Sequence, residues 1–288
     1  RENGCYLIES NRWGRERGVQ FSGGSCVIEP DGHVQARRDD GDGIVLGEID
    51  TDRVTGPLGS ERQPELYHEL LHQTYAWNPL DFFRLYGHQP LPKGKVSRIA
   101  VAHFAPSNNL DDNLDHCMAL IDQAENAELV VLPELALTGL DAGAINPISQ
   151  HHAIFDTLRR VAEERQQYYV VGFAEQADGN LYNAAALVGS RGVMAVYRKI
   201  HLSEADREWA TPGERWVSCD LPLGRVGILI GHDADFPEAG RILALRGCDV
   251  IACPAALPGP FHCSHPGTRI HQSAPIPTGP DEHHWHHY

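Results

Sequence analysis

Residues 224–240 read GRVGILIGHDADFPEAG. Val226 to Ile230 is an apolar, partly β-branched run that stops at Gly231-His232-Asp233, and a helix-like segment opens after Phe236-Pro237-Glu238. A strand that ends in a tight turn and feeds a helix exposes one side chain and aims backbone N–H groups towards it. In α/β enzymes this is where a nucleophile sits and where developing negative charge is stabilised. The turn residue here is glycine, which has no side chain to attack with.

Three further stretches carry chemistry. Pro133-Glu134-Leu135-Ala136-Leu137-Thr138-Gly139 follows the apolar run 129–132, which delivers Glu134 at the carboxyl end of a strand. Tyr197-Arg198-Lys199-Ile200-His201-Leu202 follows a second run, 193–198, which delivers Lys199. Glu208 lies within DREWATPG, residues 206–213. Together the four motifs resemble the nitrilase, or carbon–nitrogen hydrolase, superfamily, whose members usually read Cys-Tyr-Asp and then Phe-Pro-Glu where this chain has Gly231-His232-Asp233 and Phe236-Pro237-Glu238. The resemblance covers most of 96–257, with the motifs in family order.

The resemblance implies that Glu134 is the general base, Lys199 the cation that stabilises the tetrahedral intermediate, and Glu208 a second glutamate of the pocket. Gly231 takes the position of the catalytic cysteine. An acid–base group, a cation and a nucleophile must converge from neighbouring strand ends for acyl transfer. Losing the nucleophile typically costs on the order of a millionfold in rate. The expectation is therefore a carbon–nitrogen hydrolase scaffold for a small amide, carbamoyl compound or nitrile that binds but barely turns over. The alternative is a non-catalytic module that binds a ligand or supports a catalytic repeat. His232 is expected to offer its backbone N–H to an oxyanion hole rather than its imidazole as a nucleophile.

Strands and helices alternate along 96–257, which makes the fold class α/β; the resemblance implies the four-layer α-β-β-α sandwich of the nitrilase type. Predicted strands cover 96–104, 129–132, 168–173, 183–187, 193–198, 226–230 and 249–253, with helices at 110–127, 154–166 and 237–245. The first fifty residues hold short runs at Tyr6-Leu7-Ile8, Ser25-Cys26-Val27-Ile28 and Ile44 to Ile49, with turn chemistry at Pro30-Asp31-Gly32. They resemble the C-terminal third of a nitrilase domain placed first.

The domains predicted are 1–58, the C-terminal part of such a domain; 59–95, a linker with a helix near 65–75; and 96–288, its N-terminal and central part. This order reads as a circularly permuted domain or a fragment of a tandem protein, and the absence of an initiating Met suits the fragment. In either form the family's habitual pairing implies a homo-oligomer or a tandem repeat partner.

A formal charge of −15 over 288 residues, with no basic stripe along the chain, argues against a nucleic-acid or anionic-membrane partner. No run is long enough to span a bilayer, and no signal peptide is expected. Seven cysteines without close pairing suit a cytoplasmic, reduced protein. Cys248 and Cys253, beyond the helix that follows Gly231, are expected a helix and a turn away from the elbow. The histidines at 262, 265, 271, 283, 284, 286 and 287 match no metal-site spacing, so neither metal nor cofactor is expected, and the partner is a small molecule.

Overall fold

A computed structural model describes residues 4–54, 61–71, 96–139 and 146–256. These residues fall into two units, 4–54 and 61–256. The His-rich tail, the Pro90-Pro92-Gly94 stretch and the expected boundary near Lys95 lie outside the described residues.

In the first unit, β1 (Leu7–Glu9), β4 (Ser25–Ile28) and β5 (Val34–Arg38) form an antiparallel sheet in the order β1-β4-β5, and β2 (Trp13–Glu16) pairs with β3 (Val19–Ser22) as a separate hairpin. The Pro30-Asp31-Gly32 turn joins β4 to β5, closed by Gly32 N–H donating to Glu29 O and Glu29 N–H to His33 O. The expected strand 44–49 is corrected: the segment belongs to no sheet, and its Glu48 backbone is held at both N–H and C=O by the Gln35 side chain. Side-chain bonding has replaced a ladder there.

The second unit is built on a five-stranded sheet in the order β10-β9-β8-β7-β6. Its strands are β6 (Ile99–Val101), β7 (Leu129–Val131), β8 (Tyr168–Ala177), β9 (Asn180–Gly189) and β10 (Gly192–Arg198). The first pairs, β6 with β7 and β7 with β8, are parallel, and the rest are antiparallel. Both faces of β8 and β9 are buried, which explains their near-continuous apolar sequence. Alternate residues divide between two cores. Tyr169, Val171, Phe173, Ala184 and Ala186 pack with Cys117 and Ile121 of α1 (Leu110–Gln123) and with Phe155 and Leu158 of α2 (Ala153–Arg165).

On the opposite face, Val170, Ala185 and Leu187 pack with Val226 and Ile228 of β12 (Gly224–Ile228), the centre of a second sheet ordered β11-β12-β13. In that sheet β11 (Val217–Leu221) is antiparallel to β12 and β13 (Val250–Ala252) is parallel to it. Gly227 faces the other way, where a Cβ would meet Leu243 and Cys248 at about the limit of contact, so α3 (Pro237–Leu245) covers the outer face. The layers are thus α, β, β, α.

Local signals explain the helix starts. Asn109 caps α1 by accepting from Asp111 and Asp112 N–H, and Pro237 stands where α3 begins and no N–H partner is needed. Where the helix expected near 65–75 is described, the chain instead forms two tight 3-10 turns, Pro64–Leu66 and His68–Leu71, and 72–75 lie outside the described residues. Their residues are pulled into place by contacts with α3 and the second sheet rather than by helix periodicity.

Candidate active site

Glu134 leaves the end of β7 in a turn where Leu135 adopts φ +52°. The turn lies so close over β8 that a Cβ on Gly172 would stand 2.4 Å from Pro133 O, so only glycine fits. Buried Asn113 of α1 fastens the same loop, donating to Ser107 O (2.7 Å) and Leu137 O (2.9 Å). Lys199 directly follows β10, and its N–H donates to Asn183 O of β9.

These strand ends bring four buried side chains together. Lys199 Nζ donates to Glu134 Oε1 at 2.7 Å and to Asp206 Oδ2 at 2.6 Å. Asn183 Nδ2 donates to the same two carboxylates, to Glu134 Oε1 and Asp206 Oδ1, both at 2.8 Å. Ala256 N–H reaches the other oxygen of Glu134 at 2.8 Å. Glu134, Lys199 and Asp206 are 4%, 3% and 5% exposed, so these bonds act where water screens little.

One cation serves two carboxylates, and the environments separate them. Burial pushes Glu134 above the usual carboxylate range despite the opposing pull of Lys199. Asp206 is also penalised by burial. Lys199, the Ser203 hydroxyl (2.6 Å) and Asn183 outweigh that penalty and hold it below its ordinary value. Lys199 loses something to burial too, but the two carboxylates raise it, so it stays protonated. Asp206 is thus held as the anion, and Glu134 is the carboxylate whose affinity for a proton is raised.

Sequence reasoning singled out Glu134 and Lys199, and they meet. Glu208 does not join them: it is exposed in the 3-10 turn Asp206–Glu208, and the acid this turn sends inward is Asp206, two residues earlier. Asp206 and Asn183 were missed. The signal for Asp206 was available as Ser203-Glu204-Ala205-Asp206, a pattern in which a hydroxyl and a carboxylate three residues apart bond reciprocally, here Asp206 N–H to Ser203 Oγ and Ser203 N–H to Asp206 Oδ2.

The elbow follows β12 as a 3-10 turn, Gly231–Asp235. Gly231 has φ +43°, and a Cβ built on it would stand 2.5 Å from Glu134 Oε2. The turn is anchored from beneath by fully buried Asp233. Its Oδ1 accepts from His201 N–H (2.9 Å) and faces His201 Nδ1 (2.8 Å); its Oδ2 accepts from Ile230 N–H (3.0 Å) and Tyr197 O–H (2.8 Å). The His232 ring turns away to Asp235 and Glu61.

The expected remoteness of Cys253 is corrected. Because β13 runs parallel beside β12, Cys253 adjoins the elbow, where Gly231 N–H donates to Pro254 O at 2.8 Å and also eases ionisation of the thiol. Burial nevertheless pushes the Cys253 thiol up to about 11, with Asp233 and Glu134 adding to the effect. A thiol shifted this far is about 10⁻⁴ ionised at neutral pH. Iodoacetamide at pH 7 is expected to label Cys253 at least about a hundredfold more slowly than it labels a small free thiol. Peptide mapping against a glutathione standard measures the ratio, and labelling at the free-thiol rate would disprove the burial account.

Among the described residues, no helix is long and apolar enough to cross a membrane, and no three His, Cys, Asp or Glu side chains are grouped to hold a metal ion.

The fold is thus a four-layer α/β sandwich that sets a buried Glu–Lys pair beside a strand–turn–helix elbow. The family model for carbon–nitrogen hydrolases matches residues 1–56 and 98–287, and the chain belongs to that family. It is 40% identical over 160 residues to a nitrilase of Pyrococcus abyssi, covering 52% of this chain and 61% of the relative. It is 35% identical over 136 residues to an (R)-stereoselective amidase of a Pseudomonas species, covering 46% and 50%. The chain thus spans between half and two-thirds of the length of these relatives. Among solved structures, the NitN amidase of Nesterenkonia sp. AN1 superposes with a TM-score of 0.52 at 26% identity, over 58% of this chain and 69% of that one.

Proposed function

We propose that the Glu134–Lys199–Asp206–Asn183 cluster is the acid–base and oxyanion machinery of a carbon–nitrogen hydrolase site for a small amide, carbamoyl compound or nitrile, and that Gly231 leaves it binding such a ligand without covalent turnover. The observation that carries this reading is the shared hydrogen bonding of one buried Lys and one buried Asn to two carboxylates of opposite pKa shift. A purely structural ion pair needs one carboxylate, and desolvating a second is costly. Lys199 spends two of its three ammonium donors on carboxylates, which leaves the third for the oxygen of a bound carbonyl.

With a thiol at the elbow, the chemistry would be acyl transfer. The thiol proton would pass to Glu134 as sulfur attacks the carbonyl carbon, Lys199 would meet the charge on oxygen, and the proton would leave with the amine. Without the thiol, the same groups recognise the ligand only. That favours a ligand-binding role, or support of a catalytic repeat, for the chain as it stands. The relatives named nitrilase and amidase support an amide or nitrile as the ligand class.

Saturation-transfer NMR with butyramide tests the reading. Contact is expected with an affinity on the order of millimolar, as suits a ligand of a few heavy atoms. Glu134→Gln, which keeps the shape and removes the charge, is expected to weaken it at least about tenfold. Absence of contact, or equal contact in the variant, would overturn the proposal.

A further inference from the structure

The segment 61–71 lies between the two stretches matched by the family model, yet its side chains grip the elements that carry the site. At its start, Glu61 bridges two turns. Its Oε1 accepts from Arg207, in the turn that carries Asp206, at 2.5 Å, and its Oε2 faces His232 Nε2, in the elbow, at 2.9 Å. Arg62 pairs with Glu238 in the first turn of α3. Tyr67, 6% exposed, places its hydroxyl 2.6 Å from His201 Nε2, and His201 passes the contact on to Asp233 beneath the elbow. At the far end, Glu69, 2% exposed, forms a fork with Arg246.

We propose that segment 61–71 is a strap that positions the site, with Glu61 as a positioning residue that locks the elbow turn 231–235 to the Asp206 turn. Neither turn has a ladder to hold it: each is a short 3-10 segment. Arg207 also donates to Leu202 O, so the Glu61 contact is the tie that reaches across to the elbow. The charged groups around His232 are Asp235 on its own turn and Glu61 on the strap, with Arg207 behind Glu61 and the Phe236 ring edge-on at 5.2 Å. The two carboxylates raise His232 above its ordinary value, so the clasp is charge-assisted on both of its arms when the ring is protonated. A drift of either turn would move Asp206 relative to Lys199, or Gly231 relative to Glu134. The site reading supplies the purpose of this positioning, but the coupling itself exists whether or not an amide binds.

The test is therefore made on the protein alone. Glu61→Ala is expected to speed backbone amide exchange about tenfold in both 203–208 and 231–236, leave the strands β8 and β9 unchanged, and lower the His232 pKa followed by NMR. Glu61→Gln, which keeps an acceptor for Arg207, is expected to restore 203–208 more than 231–236. Faster exchange confined to 61–71, a uniform loss of protection across the unit, or an unmoved His232 titration would each overturn the proposal. Butyramide contact in the unchanged protein is scored separately, so failure of the ligand reading leaves this result standing.

Discussion

Gly231→Cys is expected to raise hydrolysis of short aliphatic amides at least about a thousandfold over the unchanged protein, because a nucleophile acting as one unit with a base and a cation supplies several orders of magnitude in rate. The geometry favours this gain. A Cβ at position 231 would lie 2.5 Å from Glu134 Oε2, too close as it stands, but the obstacle is the end of a side chain, held by hydrogen bonds from Lys199, Asn183 and Ala256 N–H, and not backbone. A small retreat of that carboxylate leaves it in hydrogen-bond reach of the new thiol, where a general base must be. The backbone at φ +43° already has the left-handed conformation. A side chain there costs roughly 1–3 kcal/mol of stability, the usual strain of such positions. Assay with butyramide at neutral pH, ammonia release being the readout, checks the rate. Adding Glu134→Gln should return it to the background.

Lys199→Met is expected to destabilise the protein by about 3–5 kcal/mol at pH 7, since removing one partner leaves buried charge uncompensated. Glu134 and Asp206 would then face each other through Asn183 alone. The pH dependence contributed by Asp206 reverses with the substitution, while that of Glu134, already raised, keeps its sign. In the unchanged protein Asp206 titrates below its ordinary 3.8, so its contribution is present above that value and is lost as pH falls through the lower, folded value. Without Lys199 both carboxyls titrate above their unfolded values. The variant's deficit is therefore full at neutral pH and shrinks as pH falls through the raised, folded values. Urea unfolding at several pH values measures both effects. A loss under about 1 kcal/mol, or a deficit independent of pH, would show that the cluster is not the coupled buried triad described.

Much of the second unit was legible because burial on both faces writes long apolar runs: the runs 168–173 and 183–187 lie within β8 and β9, the run 226–230 overlaps β12 but ends two residues beyond it, and α3 begins at its proline. Glu134 and Lys199 were legible because the motifs around them resemble the family's and occur in its order, and each closely follows an apolar run. Asp206 was not, since a 3-10 turn of three residues has no period to tell inward from outward, and Glu208 offered the same charge two positions away. β11 escaped because Val217–Leu221 carries Ser218, Cys219 and Asp220 in the middle of the strand. Cys253 was misplaced for a topological reason. Chain distance counts the helix between β12 and β13, whereas the parallel register places Ala252 beside Ile228 and Cys253 next to the elbow. The run 44–49 failed in the opposite direction, since its apolar residues Ile44 and Leu46 are more than 80% exposed and no strand among the described residues pairs with them.

We propose that the site is complete except for its nucleophile. Acid-quenched mass spectrometry of Gly231→Cys mixed with butyramide tests it most directly. One acyl group is expected, held as a thioester in the peptide that contains position 231 and absent when Glu134→Gln is added. A folded variant that carries no acyl group, or carries it on Cys253, would contradict it.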